Sequence, residues 1–209
     1  MTIEVSALAA WDDLVACERF QRQLLGEPPG GALLGVPALR AIVECGGLVL
    51  GVRANRVTPE LVAAAVDLPG TYERFPALFS LFFAVAETSR GQGVGQALRL
   101  AERRAALALG VEVVRSWVDP LRSREGHVWW DRLGAIGTGY ERNVLGDLAD
   151  RVHRGLATDR VSVEWWLRSP RTSALLESGR PAAHLRAPLH EMAVVTRTAA
   201  DASGLRILA

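Results

Sequence analysis

The stretch from Leu78 to Val118 constrains the fold more than any other part of this chain. It opens with an apolar run, LFSLFFAVA, which is too short to cross a membrane as a helix and suits a buried strand. A glycine-spaced turn from Arg90 to Gly95 follows, and then an amphipathic segment that ends at Gly110. A second apolar run, Val111 to Val118, completes the unit. This order of strand, turn, helix and strand predicts two parallel strands joined by a helix.

The turn RGQGVG, at positions 90–95, predicts a site for an anion. Glycine lets the backbone approach a phosphate closely, and several N–H groups converge near the positive end of the following helix dipole. A P-loop requires a lysine after its last glycine, and this chain contains no lysine. A dinucleotide fingerprint requires a third glycine where Gln96 stands, so the pattern disfavours a nicotinamide enzyme. An ordinary strand-to-helix turn stays open as the plain alternative.

A third pattern, Arg/Gln-x-x-Gly-x-Gly/Ala, is filled by Arg90, Gly93 and Gly95. On this turn and its flanking elements the chain resembles the GNAT superfamily of acyl-CoA-dependent N-acyltransferases. The resemblance implies an α/β fold with a mixed, centrally splayed sheet flanked by helices. It also implies acetyl-CoA or another acyl-CoA as co-substrate, with no metal. The residues that it assigns to CoA binding are Ala84, Val85, Ala86, Arg90, Gly91, Gln92, Gly93, Val94, Gly95, Gln96 and Ser123.

A narrower resemblance covers Leu78 to Leu167. The pattern DPL…RLGA…Y..N..G…DR..V.W is similar to that of a poorly characterised GNAT branch. Its elements here are Asp119-Pro120-Leu121, Leu133-Gly134-Ala135, Tyr140, Asn143, Gly146 and Asp159-Arg160 through Trp165. Relatives in that branch suggest N-succinyltransfer to amino acids as a second possible activity.

The catalytic residues depart from the family pattern. Many GNAT enzymes place a tyrosine where Trp130 stands, to protonate the departing thiolate, and an indole N–H cannot do this. The strand before the turn also lacks a carboxylate to take a proton from the amine. His127 or Tyr140 is therefore the expected acid, and Asp119 or Glu125 the expected base. These departures keep open a non-catalytic acyl-CoA sensor or structural protein on the same fold.

The composition of the chain limits the classes of binding partner that can be expected. The formal net charge is +1, from 24 basic and 23 acidic residues, which gives no electrostatic footprint for nucleic acid. The histidines show no metal-ligand spacing, and the isolated Cys17 and Cys45 indicate structural thiols in a reducing compartment. The N-terminus has no signal-peptide pattern, so a cytoplasmic protein that does not act on membranes is expected. A small-molecule amine is the expected acceptor, and a homodimer is a family-level expectation.

The pattern of apolar and polar residues predicts the remaining helices and strands. Towards the N-terminus these are a strand at Thr2–Ser6, a helix at Ala7–Leu25, a loop at Gly26–Gly31, a hairpin of Leu39–Glu44 with Leu48–Arg53, and a helix from Thr58 to Val66. After the turn they are a helix at Gln96–Leu109, a strand at Val111–Val118, a helix at Ser123–Leu133 and strands at Ala135–Asn143, Val161–Leu167 and Met192–Thr196. Gln96, Arg99, Glu102 and Arg103 are expected on the solvent face of their helix, and Trp165 in the core. The transferase domain is expected at 1–168, followed by a C-terminal extension at 169–209.

Together these features predict an acyl-CoA-dependent N-acyltransferase. The expected reaction moves an acetyl group from acetyl-CoA to a primary amine of a small molecule, by direct attack in a ternary complex.

Overall fold

The computed structural model describes residues 3–26, 34–54, 60–148, 153 and 155–179, and the backbone of 197–201 and 204–208. The strands are β1 Val5–Ala7, β2 Leu48–Arg53, β3 Leu61–Tyr72, β4 Phe75–Val85, β5 Val113–Val118, β6 Ile136–Glu141, β7 Arg160–Trp166, β8 Arg197–Asp201 and β9 Gly204–Leu208. The helices are α1 Trp11–Leu25, α2 Val36–Glu44, α3 Val94–Ala108, α4 Ser123–His127 and α5 Pro170–Ser178. A 3-10 turn covers Glu87–Ser89, and a π-helical turn, Val128–Arg132, continues α4.

Seven strands form one mixed sheet in the order β1-β2-β3-β4-β5-β7-β6. Only β4 and β5 pair in parallel; the other neighbours in this sheet are antiparallel. The parallel pair is joined through α3, as the sequence predicts. The strands β8 and β9 form a separate antiparallel pair. The mixed sheet with flanking helices confirms the expected fold class.

Helices pack on both faces of the sheet. On one face, α1 and α2 cover β2 and β3, with Leu14, Phe20 and Leu39 fully or almost fully buried. On the other face, α3 covers the same strands through Val94 and Leu98. A third cluster, under α3 and the π-helical turn, joins β5 to β7. It contains Leu78, Ala106, Val111, Val114, Val118, Trp129, Leu133, Ala135, Val163, Trp165 and Leu167. Among the described residues, no helix combines the length and the apolar character that a membrane crossing requires.

The predicted strand at Leu39–Glu44 is wrong, because this segment belongs to helix α2. Its buried residues Val36, Leu39 and Ile42 recur at helical spacing and pack against α1 and the sheet. Pro37 stands in the first turn, where a missing N–H costs nothing. The Gly46-Gly47 pair ends a helix instead of joining two strands, with Gly46 in the left-handed region at φ 83°.

The predicted helix from Thr58 to Val66 is also wrong. Residues from Leu61 onward form β3, which pairs with β2 as far as Asp67 and with β4 from Ala63 to Tyr72. Its alanines at 63, 64 and 65 favour a helix in isolation, but burial between two neighbouring strands overrides that propensity. Thr58 and Pro59, the proposed helix start, lie outside the described residues, as do Thr2, residues 27–31 and the predicted strand Met192–Thr196.

The elements after the glycine turn agree with prediction to within a few residues. The helix of α4 with its π-helical turn, the strands β5, β6 and β7, and the buried Trp165 are all found. Three features were missed. Helix α5 and the strand pair β8–β9 form in the expected extension, and Arg99 and Glu102 are buried rather than on the solvent face of α3, with exposures of 2% and 0%.

Candidate active site

The parallel strands β4 and β5 separate soon after they begin to pair. Their register covers only Ala77–Phe79 on β4 and Val113–Arg115 on β5. Beyond these pairs β4 continues to Val85 and β5 to Val118 without pairing with each other. On its other side β4 stays paired with β3 as far as Val85. A wedge-shaped gap therefore opens in the middle of the sheet, as the resemblance implies.

The edge of β4 that borders this gap carries main-chain groups that β3 does not use. The Ala86 N–H donates to the Val62 carbonyl at 2.8 Å, and Val85 lies opposite Ala63. In an antiparallel pair, residues that bond across the pair alternate with residues whose N–H and C=O point away. Val85 and Phe83 therefore direct their main-chain polar groups towards the gap.

The glycine turn leads from this edge into α3. Gly91 and Gly93 adopt left-handed φ angles of 75° and 81°, which residues with a Cβ rarely adopt. The first intrahelical bond runs from the Ala97 N–H to the Gly93 carbonyl at 2.9 Å. The N–H groups of the first turn therefore have no partner inside the helix, and they lie at the positive end of its dipole. Such donors suit a phosphate oxygen.

The predicted CoA-binding residues, apart from Ser123, lie along one stretch of chain from the end of β4 to the start of α3. Arg90 donates from Nε to the Val85 carbonyl at 3.1 Å, so its side chain ties the turn to the β4 edge. Gln92 Nε2 donates to the Thr88 carbonyl, in the 3-10 turn that precedes the glycine turn, at 2.9 Å. A Cβ on Gly95 would lie 3.4 Å from Val85 Cγ2, so glycine lets α3 pack closely on β4. Ser123 is the exposed first residue of α4, which follows β5.

Two of the predicted catalytic residues, Asp119 and Glu125, come together where β5 ends and α4 begins. Burial raises the pKa of the Glu125 carboxyl, the charge of Asp119 raises it further, and Arg99, Arg122 and Arg160 lower it. Among the described residues, no group hydrogen-bonds to the Glu125 carboxylate. A carboxylate with a raised pKa and no fixed donor is suited to accept a proton near neutral pH.

The two predicted acids differ in position, His127 on α4 and Tyr140 on β6. His127 is half exposed and forms a 2.7 Å contact from Nδ1 to Asp131, one helical turn along. It lies two residues from Glu125, so the two side chains do not share a helix face. Tyr140 lies on the edge strand β6, separated from β5 by β7, and donates its hydroxyl proton to Asp159. That hydrogen bond raises the pKa of Tyr140.

Sequence reasoning missed the basic residues that surround the two carboxylates. Arg99 lies between two aromatic rings, 3.7 Å from the Phe83 centroid and 4.2 Å from the Trp129 centroid. Arg160 is 5% exposed at the start of β7. One signal was available: Arg99 and Glu102 are oppositely charged and three residues apart on a helix, a spacing that forms pairs. That spacing does not tell a buried pair from a surface pair.

No profile of a known protein family matches this chain, and no curated protein matches it in sequence. In contrast, 321 chains of solved structures match its fold. An acetyltransferase of the GNAT family from Streptococcus pneumoniae aligns at 11% identity with a TM-score of 0.61, over 78% of this chain and 98% of that one.

Two further matches are of the same kind. The ribosomal-protein-S18-alanine N-acetyltransferase of Escherichia coli aligns at 16% identity and a TM-score of 0.59, over 80% of this chain and 96% of that one. A putative acetyltransferase from Salmonella typhimurium, solved with acetyl-CoA, aligns at 15% identity and a TM-score of 0.59, over 81% of this chain and 96% of that one. By its splayed sheet and by these matches, the chain has the fold of the GNAT acetyltransferases.

Proposed function

We propose that the protein is an acyl-CoA-dependent N-acyltransferase, which moves an acetyl group from acetyl-CoA to a primary amine of a small molecule. The observation that carries this proposal is the continuity of three features. The unpaired edge of β4 borders the central gap, the glycine turn follows that edge, and the free N-terminus of α3 follows the turn. An elongated ligand with a diphosphate at one end and a polar thioester arm fits the main-chain groups that these three features present in order.

The residues of the turn supply the diphosphate site. Main-chain N–H groups from Gly93 to Gln96 would hold the phosphate oxygens, and the positive end of the α3 dipole favours their charge. The main-chain groups of Phe83 and the N–H of Val85 would bond the thioester arm in the manner of an added strand, while the Val85 carbonyl accepts from Arg90. The solved Salmonella relative contains acetyl-CoA, and the other two matched proteins are acetyltransferases, which supports the same ligand class here.

Glu125 is the proposed base. The amine nitrogen attacks the thioester carbonyl, the C–N bond forms, the C–S bond breaks, and the carboxylate receives the proton that the nitrogen loses. The raised pKa of Glu125 brings the carboxyl closer to neutral, where proton transfer is most effective. Placing the amine against the thioester within the gap supplies a large part of the rate, so weak acid assistance suffices.

The thiolate then takes a proton from His127 or from water. Asp131 accepts a hydrogen bond from Nδ1 of His127, or holds its charged form, so the ring has a fixed partner. Tyr140 has no part in this proposal, because it lies on the far edge strand and its hydroxyl is engaged with Asp159.

The test is turnover with acetyl-CoA and a panel of primary amines that includes amino acids. Free CoA and acylated product are measured by chromatography, because the exposed Cys45 would react with a thiol reagent. We expect amine-dependent CoA release for at least one acceptor. The same assay with succinyl-CoA in place of acetyl-CoA shows whether the enzyme transfers a succinyl group instead. CoA binding without turnover on any amine would support the non-catalytic sensor instead, and absence of CoA binding would contradict both.

A further inference from the structure

A row of polar side chains crosses three strands at the point where β4 and β5 separate. Asp67 on β3 lies opposite Ser80 on β4, at the register shift between Val66 and Asp67. The Ser116 hydroxyl on β5 donates to the Ser80 carbonyl at 3.2 Å. This bond follows directly after the last parallel pair, Phe79 with Arg115. A side-chain hydroxyl thus forms the last link between the two strands before the gap.

Two residues of α3 close this row from above. Arg99 Nη1 donates to Ser80 Oγ at 3.1 Å and to both oxygens of Glu102 at 2.9 and 2.8 Å. The same guanidinium stacks on Phe83, which lies on the gap edge of β4, and on Trp129 of the π-helical turn. Arg99 therefore connects the closed end of the gap to one of its walls.

This cluster is almost completely dry. The exposed fractions are 0% for Asp67 and Glu102, 2% for Arg99, 6% for Ser80 and 7% for Ser116. Among the described residues, neither oxygen of Asp67 has a hydrogen-bond partner of ordinary geometry. A buried carboxyl without a well-formed hydrogen bond is costly, so its retention asks for a reason.

We propose that Asp67, Ser80, Ser116, Arg99 and Glu102 are positioning residues that set where β4 leaves β5. By fixing that point, they hold the main-chain groups of Phe83 and Val85 where these can hydrogen-bond the acyl thioester. This inference rests on the proposed acyl-CoA function. It also assigns one proton to the cluster, because a single guanidinium balances only one of two carboxylates in apolar surroundings.

That proton belongs on Asp67. Burial and the charge of Glu102 raise the pKa of Asp67, and Arg99 and Ser80 offset this in part. The groups that act on it are Glu102 and Arg99 from α3 and Ser80 from β4. Because the folded pKa is raised, the contribution of Asp67 to stability is complete below its unfolded pKa of about 3.9 and is lost as pH rises through the folded pKa.

The first experiment compares S80A/S116A with the wild type by calorimetric titration of CoA. We expect the Kd to rise about fivefold, the effect of one lost hydrogen bond. The control T172V removes a buried hydroxyl that bonds the Trp166 carbonyl, opposite Val113 at the end of β5 that is still paired with β4. Its Kd should stay within about twofold of wild type despite a similar loss in Tm. A folded S80A/S116A variant with unchanged Kd would overturn the proposal. If the double variant does not fold, S116A alone is titrated, and an unchanged Kd there has the same meaning.

The second experiment compares D67N with D67A. The neutral amide of D67N mimics a protonated carboxyl, so D67N should bind CoA like the wild type, whereas D67A should bind more weakly. The Tm advantage of D67N over the wild type should also be larger at about pH 8 than at about pH 5. An advantage that does not grow with pH, or equal CoA affinity for D67N and D67A, would overturn the assignment. The Tm series needs no ligand, so it separates failure of this inference from failure of the wild type to bind CoA.

Discussion

At the scale of single residues, Glu125 has the surroundings that a general base requires. Its carboxylate is largely buried, its pKa is raised, and Asp119, directly after β5, lies close enough to contribute to that rise. Asp119 is more constrained, because Oδ1 accepts the Leu121 N–H at 2.9 Å and Oδ2 lies 3.4 Å from Arg122. The sequence placed both carboxylates among the candidates, but only their surroundings separate their roles.

We expect E125Q to lower kcat/KM by about a hundredfold, because an amide cannot accept the amine proton. In the wild type, kcat/KM should fall as pH drops through the raised pKa of Glu125, since protonation removes the base. E125Q should lack this acidic limb. The matched control is E177Q, at an exposed carboxylate on α5, which should retain the wild-type profile. An E125Q enzyme with full activity and an unchanged acidic limb would contradict the assignment.

The two cysteines should differ in reactivity. Burial raises the pKa of Cys17 to about 12, whereas Cys45 is exposed. Because the thiolate is the reactive form, iodoacetamide should label only Cys45 in the native protein at mildly alkaline pH. Both should react after denaturation, as peptide mass mapping would reveal. Comparable labelling of Cys17 in the native protein would contradict the packing of α1 against β3.

Residue-scale prediction worked where a local pattern carries the chemistry. The glycine turn is such a pattern, because positive φ angles at Gly91 and Gly93 follow from the spacing of residues without a Cβ. It failed for Arg99, whose burial depends on Phe83 and Trp129 from two distant segments. It also could not place Tyr140, because the hydroxyl's partner Asp159 precedes another strand.

At the scale of elements, two predictions were wrong for different reasons. The alanine-rich start of β3 favours a helix by propensity, yet it lies between two strands and is fully buried. The segment Leu39–Glu44 was predicted as a hairpin strand next to Gly46-Gly47, yet the helical apolar spacing of α2, which begins at Val36, prevails. The outcome for β3 depends on neighbouring strands that a single sequence does not reveal, whereas the spacing of α2 was present in the sequence.

Helix α5 shows a start signal that was present but unused. Ser169 precedes Pro170, and its Oγ accepts the Thr172 N–H at 3.2 Å. We expect S169A to lower the free energy of unfolding by about 1 kcal/mol, the usual cost of a lost N-cap. S173A, inside the same helix, should leave it unchanged or slightly raise it. Urea unfolding measures both, and equal effects would contradict the cap.

At the scale of the whole molecule, one gap in the sheet organises the proposed chemistry. The order of β4, the glycine turn, α3 and β5 was predictable, because these elements are consecutive in the chain. The splay was expected only through the GNAT resemblance, because no local pattern shows where pairing between β4 and β5 ends. Local patterns therefore predict the order of these elements, and the geometry of the site depends on packing between them.

The most direct test of the CoA proposal is calorimetric titration of CoA into the wild type, G93L and G110L. Both glycines have left-handed φ angles, 81° and 76°, and they lie at opposite ends of α3. Each leucine should cost a similar amount of stability, about 1–2 kcal/mol. We expect G93L to weaken CoA binding at least about tenfold and G110L to leave it unchanged. Equal affinity of G93L and the wild type, with both folded, would contradict the diphosphate site at the start of α3.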